Sequence, residues 1–324
     1  MILIIDGNNL AHRVRHTFSL SNRGVDVSTT YGFLRTLGSM LKRFIPTSVI
    51  VCWDGGTPEY RRRILPSYKA GRKRGDEGEY QDFLRQMREL ADYALPMMGV
   101  VSARKRGAEA DDLMYHASRI SNGESIIVTT DKDLLQAICA GVSVYSPTKD
   151  KLYSQKDISN EYGVTPATLV HLKALAGDGS DNIAGVRGIG MKTAIKLFRQ
   201  YDSISGIYNA CTGCNPKGKI IGKLRQNVLE FGLDRICANA AVISLGFDRV
   251  GAKQELLGAI EDFQPTDKAR VKKYLMRNAF VSLIDPGFLG GISKLVKPPI
   301  YTCGIRLPVV CGRRTPIVLP HIHF

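Results

Sequence analysis

The chain has 324 residues, 44% apolar and 23% charged, which is ordinary globular usage and excludes a disordered scaffold, a collagen-like repeat and a small stapled module. Forty-five Lys and Arg against 30 Asp and Glu leave a formal charge of +15, which points to a polyanionic partner such as nucleic acid. No apolar run reaches the ~18–20 residues of a spanning helix, the start MILIIDGNN lacks a signal-peptide layout, and seven scattered cysteines suit a reducing compartment. The expectation is a soluble cytoplasmic protein with no membrane contact.

In chain order, ILII at 2–5 is a short strand closed by Asp6-Gly7-Asn8-Asn9. Residues 28–45 carry Phe33, Leu34, Leu37, Met40, Leu41 and Phe44 at helical spacing. SVIVCW at 48–53 is a second strand, and residues 80–95 repeat the helical pattern. A helix at 109–120 precedes a third strand, SIIVTT at 125–130, with another helical stretch from 132 and a further strand at 142–145. Apolar strands alternating with amphipathic helices predict a parallel sheet covered on both faces. After about residue 155 glycine-broken helical segments dominate, and the stretch from 291 has five Lys or Arg and no acid. The expected division is an α/β domain over 1–160, a helical domain over 161–290 and a basic tail over 291–324.

Three strands finish on aspartate: Asp6, Asp54 and Asp131. Such a residue is ordinary in a turn, where its side chain accepts backbone N–H groups. In a parallel sheet, however, the carboxyl ends share one edge, where ligands bind, so three neighbouring strands bring three carboxylates together. Glu109, Asp111 and Asp112 open a helix, where acids also suit the dipole. Asp133 follows Asp131, and Asp178 and Asp181 lie in GDGSDN at 177–182. Nine gathered carboxylates cannot all ionise without cations, and hard divalent ions such as Mg²⁺ resolve that conflict. Two such ions serve phosphodiester hydrolysis.

Arg61 to Arg74 reads RRRILPSYKAGRKR, seven basic residues without an acid. It reads either as a solvated loop or as a clamp in which Lys69 and Arg72, three apart on a helical face, reach one phosphate. Tyr68 can stack on an unpaired base or simply pack. Gly185-Val186-Arg187-Gly188-Ile189-Gly190-Met191-Lys192-Thr193 has glycines that admit a phosphate to the backbone and a helix start that aims N–H groups at it. It is not a P-loop; a sequence-independent contact to duplex backbone fits better, with Lys192 and Lys196 adding charge. Cys211 and Cys214 have zinc-knuckle spacing but form only one proper pair, so idle thiols are the expectation. His12 and His16 read as a surface pair.

IIDGNNL at 4–10, WDGG at 53–56, YKAGR at 68–72, EADD at 109–112, TTDKDLLQ at 129–136 and GDGSDNIAGVRGIGMKTA at 177–194 occur in order. That series resembles the flap endonuclease/5′→3′ exonuclease family, which includes stand-alone phage enzymes and the 5′-nuclease domain of bacterial DNA polymerase I; with no polymerase domain following, the chain looks most like the stand-alone enzymes. The resemblance implies a PIN-like parallel-sheet catalytic domain with a basic clamp at 60–78, followed by a helical domain holding a helix–hairpin–helix at 183–199. It implies one metal site from Asp6, Asp54, Glu109 and Asp111 and a second from Asp112, Asp131, Asp133, Asp178 and Asp181. It gives Lys69 and Arg72 the scissile phosphate. DNA contacts fall to Tyr68, Arg61, Arg62, Arg63, Gly185, Gly188, Gly190, Lys192, Thr193 and Lys196. The implied activity is Mg²⁺-dependent cleavage of DNA at free 5′ ends and 5′ flaps by a monomer, with Mn²⁺ able to substitute and K⁺ at the hairpin. An RNase H-like primer remover acting on RNA–DNA hybrids and a non-catalytic DNA-binding relative are the alternatives. The segment between Arg72 and the next helix leaves little chain for a long threading arch.

Overall fold

The computed structural model describes residues 1–71, 77–120, 123–246 and 251–300. Eight strands occur there: β1 (Ile2–Asp6), β2 (Ser21–Asn22), β3 (Val25–Asp26), β4 (Ser48–Trp53), β5 (Val101–Arg104), β6 (Ser125–Val128), β7 (Val142–Ser146) and β8 (Lys151–Tyr153). Six form one sheet in the order β5-β4-β1-β6-β7-β8, all parallel except β8, which runs antiparallel to β7. β2 and β3 make a separate hairpin. β1 therefore lies between β4 and β6, with Ile2 opposite both Ser48 and Ser125. β1, β4 and β6 are buried along their length, as the apolar runs require of strands covered on both faces. The short edge strands, β5 with alternating burial and β8 with only Tyr153 buried, give too little apolar signal to be read from sequence.

The predicted helix at 28–45 is the Ser28–Phe44 helix, whose Phe33, Leu34, Leu37, Met40 and Leu41 are buried and whose last turn carries Lys42 and Arg43, the sign the helix dipole favours there. The helix predicted at 80–95 starts at Glu77, loosens into a π-turn at Leu90–Ala94, and resumes over Leu95–Met97. The stretch from 132 differs from a regular helix. It is a 3₁₀ turn, Lys132–Ala137, begun by the Asp131 side chain accepting the Asp133 N–H at 2.8 Å.

Two compact units result, and they do not follow a linear division at residue 160. Among the described residues, one is drawn from 1–58, 77–120, 123–154, 245–246 and 251–300, the other from 59–71 and 155–244. The chain beyond 245 returns to the α/β unit because Val271, Tyr274, Leu275, Phe280, Phe288 and Ile292 belong to the same apolar core as Leu3, Phe33, Leu37 and Trp53. The clamp segment 59–71 instead belongs with the helical unit, where the buried Arg61 Nε donates to the Val242 carbonyl at 2.9 Å. The helical unit contains the helices Leu169–Ala176 and Met191–Tyr201 around a hairpin, so the first helix of the predicted helix–hairpin–helix begins well before residue 183. Arg72 and the tail beyond residue 300 lie outside the described residues.

No helix among the described residues is long and apolar enough to cross a membrane. Leu275→Ala tests the chain return: deleting this fully buried side chain should cost ~2–5 kcal/mol by urea denaturation, lowering the single transition of the α/β unit.

Candidate functional site

β1, β4 and β6 are consecutive in the sheet, so Asp6 at the end of β1 stands between Asp54, just past β4, and the turn bearing Asp131, just past β6. The strand order reverses here, since the chain goes from β1 to one side for β4 and β5 and to the other for β6 and β7, the place where such sheets bind ligands. Each aspartate also does the ordinary work of a turn residue. Asp6 Oδ1 accepts the Asn9 N–H at 2.9 Å and its Oδ2 the Thr129 hydroxyl at 2.9 Å. Asp54 Oδ1 accepts the Ala110 N–H at 2.8 Å, so it caps the Ala110–Ile120 helix that carries Asp111 and Asp112. The two readings of these residues coincide: backbone donors hold the carboxylates where their charges meet.

Asp6 is almost fully buried, and its carboxyl is pushed up from 3.8 to about 7, first by burial and then by the charges of Asp54 and Asp131, against the pull of its hydrogen bonds. The neighbouring Cys52 thiol is driven up by burial and by the charges of Asp6 and Asp111. Four of the predicted carboxylates thus share one electrostatic neighbourhood. Glu109 is buried at the head of the same helix, and Asp112, 1% exposed, accepts the Gly246 N–H at 3.3 Å. Asp133 is half-buried beside Asp131. Among the described residues no three Asp, Glu, His or Cys side chains are closed around a common point as a metal ion would need. The donor set still fits a hard divalent ion, because it is all oxygen and its anions oppose one another, a repulsion that a cation reverses. His12 and His16 are exposed and lie outside this set.

The WDGG loop keeps the set in register. Gly55 exchanges backbone bonds with Gly107 and Ala108 at 2.8 and 2.9 Å, and a Cβ on Gly55 would stand 1.7 Å from the Lys105 carbonyl oxygen. Only glycine lets the loop bearing Asp54 approach the loop bearing Glu109 this closely. Asn8, which accepts the Asp54 N–H at 2.8 Å, and Thr129 were missed as functional residues. Asn8 lies in a motif already singled out, whereas the partnership of Thr129 with Asp6 is visible only once β1 and β6 are paired.

Asp178 and Asp181 belong to the helical unit. Asp178 Oδ2 accepts the Lys173 ammonium at 2.8 Å; although burial opposes it, that bond and those from Ser180 hold its carboxyl below the usual range. Asp181 lies 3.8 Å from Lys69 Nζ, and its carbonyl accepts the Lys69 N–H at 3.0 Å. Lys69 sits in a turn with φ +53 rather than on a helical face, because the helix begun at Glu59 ends at Ile64. Ser67 and Asn182 bond reciprocally across the same contact. Two DNA-contact expectations change. Arg61, 1% exposed, is a buried tie to Val242 rather than a surface cation, and Tyr68, 4% exposed, packs with Lys69 Nζ 5.0 Å from its ring centre. Arg62 and Arg63 are exposed, Arg63 paired with Glu59 at 2.6 Å.

In the hairpin the glycines have different duties. A Cβ on Gly185 would meet the Ala176 carbonyl carbon at 2.2 Å, so this glycine serves backbone packing. Gly188 has φ +80. Gly190 caps the Met191–Tyr201 helix and faces open space among the described residues, which leaves the first-turn N–H groups near Met191 and Thr193 approachable by an anion. Lys192 and Lys196, one turn apart, are both exposed. The buried Asn239 closes the hairpin by donating to the carbonyls of Ala174 and Ala184 at 3.0 and 2.8 Å. Cys211 and Cys214 are free thiols, one buried and one exposed.

A family described as "5′-3′ exonuclease, N-terminal resolvase-like domain" matches residues 1–163, and one described as "5′-3′ exonuclease, C-terminal SAM fold" matches 164–242. The chain is 34% identical over 246 residues to a 5′-3′ exonuclease of Bacillus subtilis, covering 72% of this chain and 81% of that one. It is 35% identical over 242 residues to a thermostable DNA polymerase I of Thermus filiformis, of which it spans only 28%. Its fold is similar to that of the phage T5 D15 protein crystallised with metal ions, with a TM-score of 0.64 at 22% identity, covering 87% of this chain and 99% of that one.

The raised Asp6 makes a signed prediction for the protein without divalent ions. Unfolded, Asp6 releases its proton near pH 4; folded, it keeps it to about pH 7, so between these values the folded state binds the extra proton. The contribution of this group to stability therefore falls as pH rises from about 4 to about 7. Urea midpoints in EDTA should show that decline in the native protein and a flatter profile in Asp6→Asn.

Proposed function

We propose, from the premise that this chain belongs to the 5′–3′ exonuclease family, that it is a divalent-metal-dependent, structure-specific 5′ nuclease that hydrolyses DNA phosphodiester bonds at free 5′ ends and 5′ flaps. The observation that carries this reading is the adjacency of three parallel strands that lead into Asp6, Asp54 and Asp131, with Asp6 destabilised as an anion by burial and by the charges of Asp54 and Asp131. Asp6, Asp54, Glu109, Asp111, Asp112, Asp131 and Asp133 are the residues of the α/β unit that would hold two Mg²⁺ ions, for which Mn²⁺ can substitute. When bound, such ions supply Lewis-acid stabilisation and a more acidic water.

The chain's own residues do the rest. Asn9 and Thr129 orient the Asp6 carboxylate through its two oxygens, and the Ala110 N–H fixes that of Asp54. In the helical unit, the Lys173 ammonium holds the Asp178 carboxyl below its usual range, and Lys69 lies 3.8 Å from Asp181. Lys69, with Arg72, supplies positive charge for the scissile phosphate, an electrostatic role rather than that of a base. The Met191 helix start with Lys192 and Lys196 grips duplex backbone without reading sequence, with K⁺ accompanying the hairpin. No observation favours the RNase H-like or the non-catalytic alternative.

End-labelled 5′-flap DNA, incubated with Mg²⁺ or with EDTA, tests the reading. Cuts near the junction in Mg²⁺ alone are expected, and tight binding with no cut in Mg²⁺ or Mn²⁺ would refute it. Asp131→Asn should abolish cleavage while sparing DNA binding, and Lys69→Ala should lower kcat ~10²–10³-fold. Lys192→Ala should instead weaken binding and reduce the salt slope by about 1. Equal losses of cleavage and binding in all three variants would contradict this division.

A further inference from the structure

Away from the carboxylates, the α/β unit holds a concave site of about 490 Å³ lined by Glu89, Tyr93, Arg270, Lys273, Tyr274 and Arg277, together with Asn278. Its floor is the Lys268–Arg277 helix, KARVKKYLMR, which carries five basic residues and no acid. Arg270, Lys273 and Arg277 recur at i, i+3 and i+7, so they share one face, spread over ~10 Å of helix. Like charges three and four apart oppose helix formation, and an anion on that face relieves the repulsion. Among the described residues none of the three forms an ion pair.

The opposite wall comes from the π-turn Leu90–Ala94, whose wider turn buries Leu90, Ala91 and Ala94 and leaves Tyr93 43% exposed. The Arg270 guanidinium lies over the Tyr93 ring at 5.2 Å. A guanidinium held over a ring by cation–π attraction keeps its N–H donors for a further partner, and that fork matches a phosphate. Glu89, the one acid in the site, is already engaged. It accepts the Tyr274 hydroxyl at 2.8 Å and lies 3.8 Å from Arg85, and burial together with this carboxylate drives the Tyr274 hydroxyl further from ionising, so it stays a donor. The site thus presents donors and positive charge outward, with one arginine held in place beforehand.

The geometry points to a second nucleic-acid contact here: Arg270, Lys273 and Arg277, with Arg270 presented by Tyr93, bind successive phosphates of a nucleic-acid strand. The identity of the polyanion rests on the nuclease reading above. The helix supplies its own matched control, because Lys268 and Lys272 are exposed on the same helix but do not line the site.

The test is binding of 5′-flap DNA across a salt series in Ca²⁺ without Mg²⁺, with folding checked by thermal melts. Arg270→Ala/Lys273→Ala should reduce the slope of log K against log salt by about 2 and leave the cleavage rate at saturating DNA unchanged. Lys268→Ala/Lys272→Ala, with the same change of charge, should change the slope by less than about 0.5. Tyr93→Ala should share part of the loss, whereas Tyr93→Phe, which keeps the ring face, should not. An unchanged slope in the first pair, or an equal drop in both pairs, overturns the site while leaving the nuclease intact. Failure of the wild-type protein to bind DNA at all overturns both readings.

Discussion

The pairing of β1 with β4 on one side and β6 on the other is the constraint from which the rest of the structure follows. Parallel pairing puts three carboxyl ends at one edge, with Asp6 at the end of β1, Asp54 directly after β4 and Asp131 three residues past β6. Burial first, and then the charges of Asp54 and Asp131, push Asp6 up to about 7, and the fold counters this only in part, with the Asn9 N–H and the Thr129 hydroxyl. A site left electrostatically unfavourable in this way is poised for cations. Stability is given up at the edge and recovered in the sheet beneath, where β1, β4 and β6 are fully buried.

Basic residues are divided by burial into two trades. Arg61 is sealed against the Val242 carbonyl and ties the clamp segment to the Leu233–Ile243 helix; a lysine there would lose the planar fork. Lys69, five residues past the end of that segment's helix at Ile64, is held by backbone and side chain of the Asp181 loop. Lys192 and Lys196 remain in solvent, where they add long-range attraction to a polyanion. The excess of +15 is therefore not one patch but several, some sealed within the fold and others in solvent.

The chain beyond residue 245 has a structural duty and offers a surface. Val271, Tyr274 and Leu275 complete the apolar core of the α/β unit, while the other face of the same helix carries the arginines and lysines. An amphipathic helix used this way couples the rigidity of the core to the placement of its charges, so that Arg270 stands over Tyr93 without long loops to hold it.

Strand and helix types in the first half were legible because continuous β-branched runs and 3.6-residue periodicity are local properties of the chain. The carboxylates were legible as candidates for the same reason: each ends a readable strand or opens a readable helix. Sequence by itself thus determined the α/β character, the family through its ordered motifs, and the set of acidic side chains. It could not decide that β1 lies between β4 and β6, that residues beyond 245 return to the first core, or that Arg61 and Tyr68 are buried while Lys192 is not. Those are matters of which distant segments exclude water from one another. Thr129 beside Asp6 and Tyr93 beside Arg270 are neighbours across 123 and 177 residues, and no local pattern encodes a contact that only packing creates.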